Sequence, residues 1–497
     1  MNVLILEHPR KRSQAHFNDI ANTPLWSCLL SGYAAAAVAK TGAEVSYVDA
    51  ASLGLDFGQC RAHILAANPD LVAINTVYFW EHTDLFFSML TALRQDGYKG
   101  HISLFGFFPT LHFQTILRES TALDSIVVGE CEETLAELSL CLAQGQAWHT
   151  IAGLATGHLT PSLRRRPVIA DLDGLLRPWR PAPSPSTPAI LASRGCYNHC
   201  SFCPIPSFYN QGPLWRGRNP AHVVAEIQEL QGQGHQDFYF VDPNFVGPGS
   251  AGRNRTRELM KLLKPLQITF GMETRPNDLD AELVAEMGEA GLTSLLLGIE
   301  SGSGQGLANL DKHCSVRSGE EALRLCRAQG IEPEVGFLMF TPESRLTDLA
   351  GNMAFLERNS LLDRLERTAN LLGHCQIIMA GTKGYQRYKH QGRLSPTGVL
   401  AFEGEVAFQE PVVAWLAQVV IPLCHHILRL TGDQNSPLYH ERAGNYCRFQ
   451  KVNDHLVQAV KKSLALAARP EPPAPEQLVA ATCHELDTLI RTTPLIS

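Results

Sequence analysis

The sequence predicts an α/β protein that ends in a mostly α-helical segment. Three observations carry that expectation. Residues 1–150 alternate β-rich runs with helix-spaced apolar residues. Residues 189–345 alternate again, with polar residues at the strand ends. Beyond 350 the apolar spacing is helical over long runs, as in Val412–Leu430.

In the first region Val3–Glu7 reads as a strand and Trp26–Lys40 as a helix ending at Gly42. Glu44–Asp49, Asp70–Thr76, His101–Phe105 and Ser125–Val128 read as further strands. Helices are expected over Gly58–Asn68, about Thr83–Asp96 and from Glu132. Strands joined by helices demand a parallel sheet covered on both faces. Five such units predict a flavodoxin-like doubly wound N-terminal domain, whose ligands sit at the carboxyl ends of the strands.

Residues 151–188 read as a connector. It includes a Pro-Ser-rich run from Pro181 to Pro188, a composition that favours extended chain over helix. A strand over Ala189–Ala192 opens the second region, 189–349. Further strands are expected at Asp237–Val241, Ile268–Glu273, Ser294–Ile299 and Glu334–Phe340. Between them, helices are expected over Pro220–Gly232, Arg255–Leu263, Asp280–Ala290 and Gly319–Gln329, with another from about Thr347. About six βα units predict a partial (β/α)6 barrel, with active groups at the C-terminal strand ends. Residues 350–497 are expected to form a helical cap, with Glu476–Ile490 as a second long helix.

Composition narrows the function classes. The chain has 497 residues, 42 Lys and Arg against 49 Asp and Glu, and a net charge of −7. No dense basic stripe is present, which argues against nucleic acid as a partner. Arg10-Lys11-Arg12 and Arg164-Arg165-Arg166 read as solvated loop charges. The N-terminus lacks the pattern of a signal peptide, and no apolar run is read as reaching 18 residues, so no membrane span is expected. Thirteen cysteines, an odd number and mostly scattered, fit a reduced cytoplasmic compartment.

The chemistry concentrates in Ser193-Arg194-Gly195-Cys196-Tyr197-Asn198-His199-Cys200-Ser201-Phe202-Cys203-Pro204. Three cysteines in a short loop can ligate three irons of a cubane cluster and leave the fourth open. A zinc knot, with His199 as fourth ligand, is the competing reading.

The trio, with an aromatic just before its last cysteine, resembles the signature of the radical S-adenosylmethionine (SAM) superfamily. The resemblance implies that Cys196, Cys200 and Cys203 hold a [4Fe–4S] cluster whose open iron chelates SAM. An electron from the cluster would then cleave SAM to a 5′-deoxyadenosyl radical, which requires an external one-electron reductant of the flavodoxin or ferredoxin type. Leu297-Gly298-Ile299-Glu300-Ser301-Gly302 resembles the family's Gly-Ile-Glu-Ser strand, implying that Glu300 and Ser301 meet SAM's ribose while Gly298 admits the ligand. Arg275 sits where related enzymes place a cation near SAM's carboxylate, a geometry a guanidinium suits. Asp242 and Asn244 occupy the family's polar segment near the SAM amino group, though turn formation beside Pro243 explains them equally well. The resemblance puts Phe202 close to the adenine. Lys312 matches a lysine often seen after the Glu-Ser strand and is assigned no task.

A second resemblance covers the first region. Asp124–Thr134, with Gly129 at its turn, is similar to the last strand and turn of cobalamin-binding domains fused to radical SAM enzymes. Gly106-Phe107-Phe108-Pro109-Thr110 falls where those domains carry a Gly-Gly turn leading to a small residue or Thr. Phe107 replaces the second glycine. If a corrin binds, Thr76 and the loop Asn75–Trp80 should face it, together with Gly106, Thr110 and Gly129; packing is the other use of those aromatics. No Asp-x-His-x-x-Gly motif is present.

Over about residues 1–345 the chain thus resembles the family of anaerobic Mg-protoporphyrin ester cyclases and class B radical SAM methyltransferases. That implies cobalamin-dependent C-methylation of a small biosynthetic intermediate. The alternative is a corrin-free dehydratase, cyclase or rearrangement enzyme, the reading Phe107 favours. An RNA methylthiotransferase would need three further cluster cysteines, and Cys28, Cys60, Cys131 and Cys141 lack that pattern. In the cap, Tyr385, Arg387, Tyr388, Arg442, Tyr446 and Arg448 are candidate substrate contacts.

Overall fold

The computed structural model describes residues 1–9, 25–76, 83–157, 163–180, 187–440 and 446–493. Side chains are described for these except 25–28, 440 and 446–448. The loop residues Val77–Trp80 and the side chains of Cys28, Arg442, Tyr446 and Arg448, all named above, lie outside the described set, as do Arg10-Lys11-Arg12.

The chain divides into two compact units. Unit 1 comprises 1–295, 328–332 and 378–405; unit 2 comprises 296–327, 333–377 and 406–497.

Unit 1 begins with β1 (Asn2–Glu7), α1 (Leu25–Ala39), β2 (Glu44–Asp49), α2 (Phe57–Ala67) and β3 (Leu71–Asn75). It continues through α3 (Thr83–Gln95), β4 (His101–Phe105), α4 (Phe107–Glu119), β5 (Ser125–Val127), α5 (Glu132–Ala143) and β6 (Leu154–Ala155). The sheet order is β2-β1-β3-β4-β5-β6, parallel except for the last pair. This is the doubly wound sheet expected. Strands β3 and β4 are buried at every residue, as a sheet covered on both faces requires.

α1 is apolar nearly all round because it is buried on several sides. Ala34, Ala35 and Val38 join the core of the first sheet, Leu29 and Tyr33 pack with Ala189 and Leu191, and Leu30 joins a third cluster. The connector lies along it, with Trp179 N donating to Gly32 O at 3.0 Å. α4 is an element beyond the expected helices; Pro109 stands in its first turn, a position that proline tolerates.

The second half of unit 1 holds β7 (Ala189–Ile190), β8 (Ser193–Gly195), α6 (Ile205–Phe208), β9 (Trp215–Gly217), α7 (Pro220–Gly232) and β10 (Asp237–Phe240). α8 (Gly249–Leu263), β11 (Thr269–Thr274), α9 (Ala281–Glu289) and the start of β12 (Leu292–Glu300) follow. β10 pairs in parallel with both β7 and β11, as in a barrel of βα units. The short antiparallel pair β8–β9 leads into the cysteine loop.

In unit 2, β12 runs to Glu300 and is followed by α10 (Gly304–Asn309), α11 (Val316–Ala328), β13 (Glu334–Phe337), α12 (Leu346–Arg358) and α13 (Leu365–Gly373). β12 and β13 pair in parallel, with an irregularity between Gly298 and Glu300.

The helical tail is interrupted by a small sheet that returns to unit 1. It consists of β14 (Ile378–Met379), β15 (Leu394–Pro396) and β16 (Glu403–Val406), with α14 (Lys383–His390) between the first two strands. α15 (Pro411–Gly432), α16 (Pro437–His440), α17 (Tyr446–Ala467) and α18 (Pro475–Thr492) complete unit 2.

Two expectations need correction. α15 is a 22-residue helix long and apolar enough to cross a membrane, contrary to the reading of no such run. Half of its apolar window is buried inside the protein, and it packs on α13, α17 and α18, the setting of a core helix. Arg164 and Arg165 are exposed, as expected, but Arg166 is partly buried in ion pairs. Arg166 pairs with Glu133 at 3.1 Å and also with Glu137, and the Arg165 guanidinium lies 5.5 Å over the Phe113 ring.

Candidate active site

The cysteine loop leaves β8 at Gly195 and closes on itself through Cys203 N donating to Cys200 O at 3.2 Å. Cys200 is buried; Cys196 and Cys203 are partly exposed. Asn198 Nδ2 donates to Cys200 Sγ at 2.9 Å, and Arg275 Nη1 approaches the same sulfur at 3.9 Å. A donor and a cation on one sulfur are what a thiolate or cluster ligand calls for.

Arg275, at the end of β11, also lies over the Tyr197 ring at 5.4 Å. Burial pushes its pKa down, but Cys200, Tyr197, Cys196 and Asp278 more than offset this and hold it above the usual arginine value. Tyr197 donates to Asp278, whose other oxygen accepts from Asn244 Nδ2 at 3.0 Å. Asn244 Oδ1 accepts from Thr274 Oγ1 at 3.1 Å, and its carbonyl accepts from Trp215 Nε1 at 2.8 Å. Asp242 accepts from Ala192 N at 3.0 Å and from Ser193 Oγ at 2.5 Å. Both Asp242 and Asn244 are fully buried. Their side chains therefore brace the strand ends around the loop. Phe202 is partly exposed between two of the cysteines.

A buried charge network, unforeseen in the sequence, anchors the base of the loop. Arg194, two residues before Cys196, donates to Glu130 at 2.7 Å and to Glu132 at 2.5 Å. Arg216, its partner across the β8–β9 pair, reaches Glu130 at 2.9 Å, and Ile169 N donates to the same carboxylate at 2.6 Å. Burial favours a protonated Glu130, yet Arg194 and Arg216 outweigh it and hold its pKa below the usual value. The residues themselves stand out in the sequence, as an acid-rich turn after β5 and arginines on both sides of the trio, but their pairing does not.

The carboxyl ends of the first sheet gather four other expected residues. Thr76 N donates to Phe105 O at 2.9 Å, and Thr110 Oγ1 accepts from Gly129 N at 3.1 Å. Gly129 has φ +96°, a conformation that only glycine adopts readily, and nothing lies within 4 Å of where a Cβ would stand. At Gly106 the corresponding space is taken, 2.4 Å from Asn75 Oδ1 and 2.7 Å from Thr76 O. Phe107 turns to α6, its ring centroid 4.3 Å from that of Phe208, in a cluster with Leu30, Ile205 and Tyr209 against which Cys196 and Cys203 pack.

In unit 2, Glu300 sits at the end of β12 with φ +68°, a strained value for a residue with a side chain and a frequent mark of a functional position. Its Oε1 lies 2.9 Å from Lys312 Nζ. A Cβ on Gly298 would stand 2.8 Å from that carboxylate oxygen and 2.9 Å from that ammonium. The space over Gly298 is thus occupied by the ion pair. Ser301 Oγ lies 2.8 Å from Asn352 Oδ1.

Of the remaining candidates, Tyr388 is fully buried, with the guanidinium groups of Arg387 and Arg393 at 5.1 and 5.4 Å over its ring. Tyr385 is half-buried and lines a surface groove.

The donor set suits a cluster: three cysteines share one short loop, and Asn198 and Arg275 both approach the sulfur of Cys200. His199, the fourth ligand of the zinc reading, is exposed.

Residues 190–350 match the model of the radical SAM superfamily, so the chain carries a radical SAM domain. That superfamily uses a [4Fe–4S] cluster and SAM.

Beyond the class, the chain is 27% identical over 365 residues to the anaerobic magnesium-protoporphyrin IX monomethyl ester cyclase of Rubrivivax gelatinosus, covering 68% of this chain and 62% of that protein's length. It is 23% identical to an uncharacterised methyltransferase of Pyrococcus horikoshii, over 72% of this chain and 78% of that protein. Its fold is that of the cobalamin-dependent SAM radical enzyme OxsB, with a TM-score of 0.74 and 17% identity over 99% of this chain and 76% of the other. It is also similar to the radical SAM methyltransferase TsrM of Kitasatospora setae, with a TM-score of 0.60 and 18% identity over 83% and 78% of the two chains.

Proposed function

We propose that this chain cleaves SAM reductively at a [4Fe–4S] cluster and uses a corrin in the C-methylation of a small biosynthetic intermediate. The observation that carries the reading is the environment of Cys200, with Asn198 and Arg275 directed at its sulfur from a loop that holds two further cysteines. When bound, the cluster supplies the electron for SAM cleavage and the corrin supplies the methyl group.

In this reading Cys196, Cys200 and Cys203 hold the cluster. Arg275 provides a fixed cation for a carboxylate. Glu300, oriented by Lys312, accepts ribose hydroxyls, with Ser301 and Gly298 beside it. Phe202 contributes its backbone to the adenine. Asp242 and Asn244 act by holding the strand ends in place. Gly129 fits the approach of a flat ligand, because its face is open and Thr110 orients its N–H; with Thr76 these residues would hold the corrin. Gly106 serves close packing against Asn75 and Thr76. Residues 1–150 would be the corrin-binding part, 151–188 the connector, 189–349 the SAM-cleaving part and 350–497 the substrate-shaping part. The enzyme would act in the cytoplasm with an external one-electron reductant.

The test is anaerobic reconstitution with iron, sulfide and hydroxocobalamin, removal of unbound corrin, and an absorption spectrum beside an assay for 5′-deoxyadenosine. About one corrin per chain with deoxyadenosine formation supports the reading. Deoxyadenosine without retained corrin favours a corrin-free dehydratase, cyclase or rearrangement enzyme. That second reading draws on one observation, the docking of Phe107 onto α6 where relatives of the resembled family carry glycine.

A further inference from the structure

A groove of about 510 Å³ opens on unit 1 between α4 and the α14–β15 segment. Its lining includes His112, Arg118, Tyr385, Lys389 and Val399, and none of its lining residues is acidic. From Lys383 to Phe402 the chain carries Lys383, Arg387, Lys389 and Arg393 and no Asp or Glu, in a protein of net charge −7. Lys389, His390 and Arg118 are exposed, Arg118 being shared with its neighbour Glu119 at 2.7 Å. Val399 is 65% exposed, an apolar contact point inside a basic rim. The local field is felt by His112, whose pKa is lowered to about 4 by burial and then by Lys389 and Arg118.

This groove is joined to the cysteine loop. Gly384 N, in the first turn of α14, donates to Ser201 O at 2.6 Å, and Ser201 lies between Cys200 and Cys203. From that contact at Gly384, α14 rises about 9 Å along its axis to its end at His390.

We infer that the α4–α14 groove is the docking surface for a small acidic one-electron carrier protein of the flavodoxin or ferredoxin type, which delivers its electron to the cluster through the α14–Ser201 contact. The inference rests on the proposed cluster at the three cysteines. One electron leaves the reduced carrier and enters the oxidised cluster; no bond forms or breaks and no proton moves with it. Charge complementarity selects the partner: a basic rim on an acidic protein attracts an acidic carrier and steers its approach.

The experiment follows cluster reduction in the reconstituted full-length protein by two reductants, a flavodoxin kept reduced by its reductase, and titanium(III) citrate. The double variant Arg118→Glu, Lys389→Glu is compared with the wild type. Reduction by flavodoxin is expected to slow about tenfold or more in the variant at low salt, and to fall in the wild type as ionic strength rises. Reduction by titanium(III) citrate is expected to match within about twofold, which also shows that the variant is folded around its cluster. Equal flavodoxin rates in both proteins, with both reduced by titanium(III), would overturn the docking assignment alone. A wild type in which titanium(III) citrate reduces no cluster would remove the proposed function itself, and this inference with it.

Discussion

Lys312 Nζ and Glu300 Oε1 meet 2.9 Å apart above Gly298, at the residue where β12 ends in a left-handed backbone conformation. Both side chains are nearly buried, at 5% and 11% exposure, so the pair sets where the carboxylate can point. Breaking a buried pair from one side costs about 3–5 kcal/mol. Lys312→Met is therefore expected to lower thermal stability and to weaken SAM binding more than tenfold. Equilibrium dialysis with labelled SAM checks it; unchanged affinity would mean Glu300 does not meet the ligand.

Gly298→Ala asks a narrower question. The added methyl would stand under 3 Å from both members of the pair. Overpacking of this kind costs about 1–3 kcal/mol. The expected outcome is a folded protein with intact cluster absorbance and reduced SAM affinity, separating the Glu300 strand from the cysteine loop.

Phe107 tests the two readings of the first sheet. Phe107→Ala removes the ring packed on Phe208 and is expected to cost about 3 kcal/mol. The ring packs on Phe208, and nothing lies within 4 Å of a Cβ on Gly129, so corrin retention is expected to equal that of the wild type. Retention that appears only in the variant would favour the corrin-free reading. Gly129→Val, by contrast, is expected to abolish retention.

His101 gives a pH dependence remote from the cysteines. Burial pushes its pKa down to about 4, and its Nε2 lies 2.8 Å from Ser125 Oγ. A histidine kept neutral in the fold but protonated in the unfolded chain favours the fold above the unfolded value of about 6.5. That contribution is lost as the pH falls from about 6.5 through about 4. Thermal unfolding of His101→Asn is expected to vary less over this window than that of the wild type.

The doubly wound sheet was legible because β1 and β3 carry continuous apolar runs, Val3–Leu6 and Leu71–Ile74, and helix-spaced segments separate most of the strands. The cysteine loop and the Gly298–Ser301 strand were legible because their chemistry needs fixed residue types at short spacing. What escaped was contact between residues remote in sequence. Glu130 and Arg194 are 64 residues apart, and nothing in either segment names the other. Lys312 could be noticed but given no task until the turn of α10 brought it to Glu300. β14, β15 and β16 are too short to carry a period. Asp242 is about 50 residues from Ala192 and Ser193, and nothing in the turn at Pro243 names those partners.

The most direct measurement is 5′-deoxyadenosine formed from SAM by the anaerobically reconstituted protein under titanium(III) citrate, read beside its iron content. The account predicts about four irons per chain and deoxyadenosine in the wild type, and loss of both in Cys196→Ser, Cys200→Ser and Cys203→Ser. Zinc in place of iron, with no deoxyadenosine, would contradict it.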